Sequence, residues 1–144
     1  MSAIKKLDND IHQHILQLSK AGDECMERGD YSKAIDQFRA AFGLVPEPYQ
    51  EWDASLRLLT SLGEAYYFDG EYGQAHAALA KAMHVPGAVG NPLIHLRLGQ
   101  VQFELGNAKR AADELLRAYM GGGEEIFEDE DEKYFEFLKQ NVVL

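Results

Sequence analysis

Residues 59–82, LTSLGEAYYFDGEYGQAHAALAKA, decide the fold. Leu59, Leu62, Gly63 and Tyr66 recur at helical spacing, the pattern pauses at Phe68-Asp69-Gly70, and it resumes through Ala75, Leu79 and Ala82. Apolar residues three and four apart share one face of a helix, and an Asp-Gly pair breaks it. The stretch therefore predicts two amphipathic helices joined by a tight turn. Small residues mark where they touch: Gly63 and Ala75 allow close backbone approach, while Tyr66 and Leu79 fill the space beside them. A helix pair alone cannot bury such a face, so it needs neighbours.

The chain supplies them. Counting from the first glycine of each unit, position +7 is glycine, +12 alanine, +16 Phe or Leu, and +19 alanine. The sets are Gly22, Gly29, Ala34, Phe38, Ala41; Gly63, Gly70, Ala75, Leu79, Ala82; and Gly99, Gly106, Ala111, Leu115, Ala118. Repetition of this kind predicts an all-α chain, an α-solenoid of three helix hairpins. The units span about 15–48, 56–89 and 92–123 and form one domain over 1–123, with an acidic segment and capping helix over 124–144.

Outward from the central unit, residues from about 3 to 28 read as one helix, with Ile4, Leu7, Ile11, Ile15, Leu18, Gly22 and Cys25 on one stripe. Gly29-Asp30 closes it, and Pro46 stops the helix that follows. The leading glycines of the first and second units, Gly22 and Gly63, lie 41 residues apart, and those of the second and third, Gly63 and Gly99, 36. Pro48 suits a first helical turn, and Tyr49, Trp52, Leu56 and Leu59 keep helical spacing. The second unit's first helix is thus expected to extend backwards by about two turns, carrying Trp52 with it. VPGAVGNP (85–92) is a loop in which Asn91 caps and Pro92 opens the next helix. After the glycines at 121–123, seven of the nine residues 124–132 are acidic, and Tyr134, Phe135, Phe137 and Leu138 predict a short amphipathic helix covering the last hairpin.

Composition narrows the function. The formal net charge of −10 disfavours nucleic acid and anionic membrane surfaces and favours a basic protein partner. Cys25 is the single cysteine, which fits a reducing compartment. The first residues lack the apolar core of a signal peptide, and no apolar run is long enough to span a bilayer, so the expected location is the cytoplasm.

The offsets resemble those of tetratricopeptide repeats, W-x2-L-G-x2-Y followed by A-x3-F and an alanine. Leu18, Ala21, Gly22, Cys25, Ala34, Phe38, Ala41 and Pro46 carry the first match. Leu59, Leu62, Gly63, Tyr66, Ala75, Leu79 and Ala82 carry the second, and His95, Leu98, Gly99, Gln102, Ala111, Leu115 and Ala118 the third. The resemblance implies an adapter that holds a peptide or protein on the first helices of each pair. Its groove positions fall at Ser19, Asp23, Met26 and Glu27; at Arg57, Thr60, Ser61, Glu64, Tyr67 and Phe68; and at Leu93, Leu96, Arg97, Gln100, Phe103 and Glu104. The carboxylate clamp of the heat-shock co-chaperone branch would need Lys, Asn, Asn, Lys and Arg where this chain has Ser19, Asp23, Ser61, Leu93 and Arg97. Only the arginine is retained, which disfavours that branch. The segment GEEIFEDEDEKYFEFLK (123–139) resembles the C-terminus of small tetratricopeptide proteins encoded beside polymorphic toxins of bacteria, which act as immunity proteins.

Catalytic and metal readings find no support. His12 and His14 fall on different helix faces, and His76, His84 and His95 have no Cys or carboxylate at ligand spacing. Cys25 stands where the repeat buries a tyrosine and reads as an inert thiol. The glycines lack the Lys and Ser/Thr of a phosphate loop. The chain is expected to bind protein, without enzyme activity, metal or cofactor. The expected contacts are Trp52, Arg57, Glu64, Tyr67 and Phe68; Arg97, Gln100, Phe103 and Glu104; and Glu128, Asp129, Glu130 and Asp131. The partner is expected to be a basic toxin domain or, alternatively, the extended segment of a secretion-chaperone client.

Overall fold

The computed structural model describes residues 7–144, in two compact units that meet in sequence between Ala88 and Val89. The first unit contains α1 (Asn9–Glu27), α2 (Tyr31–Gly43), α3 (Asp53–Phe68) and α4 (Tyr72–Ala82). The second contains α5 (Pro92–Glu104), α6 (Ala108–Gly122) and α7 (Glu132–Asn141). No strand occurs among the described residues. Three hairpins, α1–α2, α3–α4 and α5–α6, followed by the capping helix α7, make this the predicted all-α solenoid class.

The repeated glycines explain how each hairpin forms. Gly29, Gly70 and Gly106 adopt φ of 75°, 80° and 83°, a left-handed conformation that side chains disfavour. Each closes its helix with the same pair of bonds. The N–H of the following residue reaches back to a carbonyl of the last turn, Asp30 to Cys25 at 2.8 Å, Glu71 to Tyr66 at 2.9 Å and Asn107 to Gln102 at 2.8 Å. The glycine N–H donates to Met26, Tyr67 and Phe103 respectively. This double closure satisfies carbonyls that the helix end leaves open and reverses the chain.

The other repeated glycine sets the spacing within the hairpin. A Cβ on Gly22 would lie 2.5 Å from the Phe38 ring, and one on Gly63 or Gly99 would lie 2.6 Å from Leu79 or Leu115. Each glycine thus makes room for the large side chain sixteen residues later on the partner helix. Phe38, Leu79 and Leu115 are all essentially inaccessible to water.

Two boundaries differ from expectation. The first helix begins at Asn9, because Asp8 takes a non-helical conformation and accepts a hydrogen bond from the Asp10 N–H at 2.9 Å. The part of the predicted helix over residues 3–6 lies outside the described residues. The backward extension of the third helix does not form. Tyr49–Glu51 make a single 3-10 turn, and Trp52 is extended at φ −112° and ψ 130°, so α3 starts at Asp53. Ser55 holds this break, its hydroxyl donating to the Tyr49 carbonyl at 2.7 Å. The helical spacing of Tyr49 and Trp52 reflects burial, not a continuous helix: Tyr49 is buried, and Trp52 packs against the same core. That core joins Ile15, Ala41, Leu58, Leu59, Ala82 and Val85. Tyr49 also donates its hydroxyl to the Lys81 carbonyl at 3.0 Å.

In the second unit the glycines at 121–123 serve three separate needs. A Cβ on Gly121 would meet Pro92 at 2.8 Å and one on Gly122 would meet Ile126 at 2.9 Å, while Gly123 turns the chain at φ 70°. A 3-10 turn, Glu124–Phe127, then buries Phe127. Asp131 caps α7 by accepting from the Lys133 N–H at 2.9 Å, and α7 buries Tyr134 and Leu138.

Candidate binding faces

In the first unit, the exposed end of the α3–α4 hairpin is aromatic. Phe68 stacks on Tyr31 from the start of α2, with centroids 5.5 Å apart, and meets Tyr67 edge-on at 5.1 Å. Tyr67 in turn lies 6.0 Å from Tyr72. Tyr67 and Phe68 therefore belong to one aromatic cluster, with Phe68 44% exposed. Arg57 is exposed on α3 and acts on Asp23 of α1. Partial burial pushes the Asp23 carboxyl above the ordinary range, Arg57 pulls it back, and Glu27 adds to the rise. Glu64 is half-buried on the same helix, and Trp52 lies at its N-terminus. Ser19, on α1, is buried, and its hydroxyl has no hydrogen-bond partner among the described residues.

In the second unit, the predicted groove residues of α5 meet the C-terminal segment. Arg97 Nη1 donates to Glu130 at 2.6 Å, and Gln100 Nε2 donates to the same carboxylate oxygen at 2.7 Å. Arg97 also donates to Gln100 Oε1 at 2.9 Å, which closes a three-membered network. One turn along, Glu104 accepts from the Tyr134 hydroxyl at 2.7 Å and pairs with Lys133 at 2.9 Å. Between these two sites the Phe103 ring takes Tyr134 and Phe137 edge-on, at 5.3 and 5.2 Å. Arg97, Gln100, Phe103, Glu104 and Glu130 are thus brought together by contact within the chain. Glu128, Asp129 and Asp131 remain exposed.

Sequence reading missed these pairings because they join residues 29 to 34 positions apart, which no helical period reports. It also missed the role of His95. This histidine is 3% exposed; its Nδ1 bonds Glu114 at 2.7 Å, and its Nε2 accepts from the Gly90 N–H at 2.9 Å. With Nε2 accepting, the proton sits on Nδ1. A histidine at the repeat's first aromatic position is therefore a buried polar link between α5, α6 and the loop before them. Cys25 is buried, with an Arg28 nitrogen 3.4 Å from its sulfur. No group of three or more potential metal ligands occurs among the described residues, and none of their helices is long and apolar enough to cross a membrane.

Comparison with known proteins agrees with this architecture. Residues 60–125 match the tetratricopeptide repeat family. No curated protein matches the chain. Among solved structures, the Sgt2 tetratricopeptide domain from Aspergillus fumigatus is 22% identical, with 88% of this chain and 75% of that one covered and a TM-score of 0.66. The Yersinia enterocolitica type III secretion chaperone SycD, in complex with a peptide of the translocator YopD, is 17% identical over 88% of this chain and 90% of that one, with a TM-score of 0.68. The second tetratricopeptide domain of human RPAP3, in complex with an HSP70 peptide, is 16% identical over 90% and 96%, with a TM-score of 0.67. At these identities the likeness is one of fold. Repeat offsets, paired glycine turns and structural neighbours agree: the fold is that of a tetratricopeptide-repeat protein.

Proposed function

We propose that this chain is a protein-binding adapter, specifically an immunity protein that binds and neutralises a cognate bacterial toxin domain of basic character. One observation carries the reading: the C-terminal segment is anchored through Phe127, Tyr134 and Leu138 while Glu128, Asp129, Asp131 and Glu132 stay exposed. An acidic run held in place offers a preformed surface to a cationic partner, with little ordering cost on binding. It borders a cleft of about 330 Å³ lined by acidic residues that include Glu128, Glu132 and the part-buried Glu130, and by Phe127 and Phe135, walls suited to a lysine or arginine side chain. The net charge of −10 and the resemblance of residues 123–139 to toxin-associated proteins support the same reading. Trp52, Arg57, Glu64, Tyr67 and Phe68 form the proposed contact set of the first unit. Arg97, Gln100, Phe103, Glu104 and Glu130 contribute by holding the acidic segment in position.

The direct test is co-purification with a toxin domain encoded beside this chain, together with rescue of cells expressing that domain. Binding and rescue are the expected results; failure of both removes the proposal. A secretion-chaperone reading draws support from the Yersinia neighbour and from an apolar cleft of about 300 Å³ in the first unit, lined by residues including Phe42, Leu59, Leu62, Tyr66 and Lys81. Calorimetric titration separates the two. A chaperone binds an extended apolar peptide, whereas an immunity protein needs the folded domain.

A further inference from the structure

Of the seven acidic residues between 124 and 132, six are exposed and one, Glu130, is not. Its carboxylate is 15% exposed, its partner Arg97 12%, and Gln100 is fully buried. A carboxylate withdrawn from water needs several donors, and here a guanidinium and a carboxamide, already bonded to one another, supply them. Tyr134 and Phe137 follow Glu130 by four and seven residues and place both rings on Phe103. Every one of these contacts is made by side chains, so a separate chain carrying the same residues could make them equally well. Their only covalent tie to α5 runs through α6 and the turn at Gly123, where φ is positive.

We propose that residues 124–141, which also rest on α6 through the stacked rings of Tyr119 and Phe135, are an intramolecular occupant of a receptor face on α5, an autoinhibitory clasp. The face selects a carboxylate followed at four and seven residues by aromatic rings, and the chain's own segment excludes other segments of that chemistry. Tethering gives the occupant an effective concentration of about millimolar, so a free competitor of equal intrinsic affinity is held off. Release of Glu130 opens Arg97, Gln100 and Phe103 together. Opening the clasp also frees the acidic run from the anchors Phe127, Tyr134 and Leu138, so the closed clasp is the form that presents the proposed acidic surface.

The test uses a fluorescently labelled peptide of residues 124–141, titrated into the full chain by polarisation. Weak binding to the unaltered chain is expected, with binding tighter by about tenfold or more once Glu130→Gln and Tyr134→Ala loosen the internal occupant. Adding Arg97→Ala in that background should abolish the gain, and a labelled peptide carrying Glu130→Gln should bind more weakly than the native peptide. Equal binding to the unaltered and loosened chains overturns the proposal, as does a gain that survives Arg97→Ala. Should the double variant lose helical content by circular dichroism, Glu130→Gln alone is used with hydrogen exchange as the readout. Faster exchange confined to residues 128–141 supports the clasp, and unchanged exchange there refutes it.

Discussion

Gly63 and Leu79 share one contact: a Cβ on the glycine would stand 2.6 Å from both Cγ and Cδ2 of the leucine. Leu79 is completely buried. Gly63→Leu is therefore expected to lower stability by about 1–3 kcal/mol or more through overpacking. Gly73, on α4, has nothing within 4 Å of its would-be Cβ and no positive φ. Gly73→Ala should leave stability unchanged or raise it by up to about 1 kcal/mol through helix propensity. Urea midpoints for the pair check both statements, and equal midpoints contradict the packing role of Gly63.

The turn glycines fail for a different reason. Nothing crowds a Cβ at Gly70, yet its φ is 80°. Gly70→Ala should cost about 1–2 kcal/mol from backbone strain, with no change in core packing. Gly70→Asn should recover part of that loss, because asparagine tolerates the left-handed region. Thermal unfolding of the two variants decides the matter; an alanine variant as stable as the parent would show that the turn can relax.

His95 and Glu114 test the polar link in the second unit. Glu114→Leu leaves the buried His95 Nδ1–H without its 2.7 Å acceptor, a loss of about 1–3 kcal/mol. Replacing both partners by apolar residues of similar size should be less damaging than the single change. A double-mutant cycle on unfolding free energies measures this, and a coupling of zero would mean that water replaces the carboxylate.

Asp23 gives a pH signature. Burial raises its carboxyl pKa above the ordinary 3.8, so the folded chain holds the proton more tightly than the unfolded chain. Stability from this group is present at low pH and is lost as pH rises through the interval between the unfolded and folded values. Asp23→Asn, which has no charge to desolvate, is expected to raise the unfolding midpoint at pH 7 and to leave it unchanged at pH 3. A shift of equal size at both pH values would assign the effect to packing instead.

The fold was legible because tetratricopeptide hairpins are built from local rules. Gly22, Gly63 and Gly99 recur with their large partners at a constant offset, and Gly29, Gly70 and Gly106 are required by turn geometry that is local to a few residues. The binding faces were less legible. The spacing of Tyr49 and Trp52 has the same period in a helix as in a turn that buries both, so the pattern could not distinguish the two. The Glu130 partner of Arg97 lies beyond α6 and the glycine turns at Gly106 and Gly123.

From sequence alone came the number of hairpins, the capping helix and the excess of negative charge. These follow from short-range periodicity and composition, which one chain displays openly. Tertiary structure alone decided that Glu130 would be drawn onto Arg97 and Gln100 while its acidic neighbours stay in water, and that His95 would find Glu114. Both outcomes depend on which side chains meet after the hairpins close, and a carboxylate's environment, not its place in the chain, determines whether it faces a partner or its own protein.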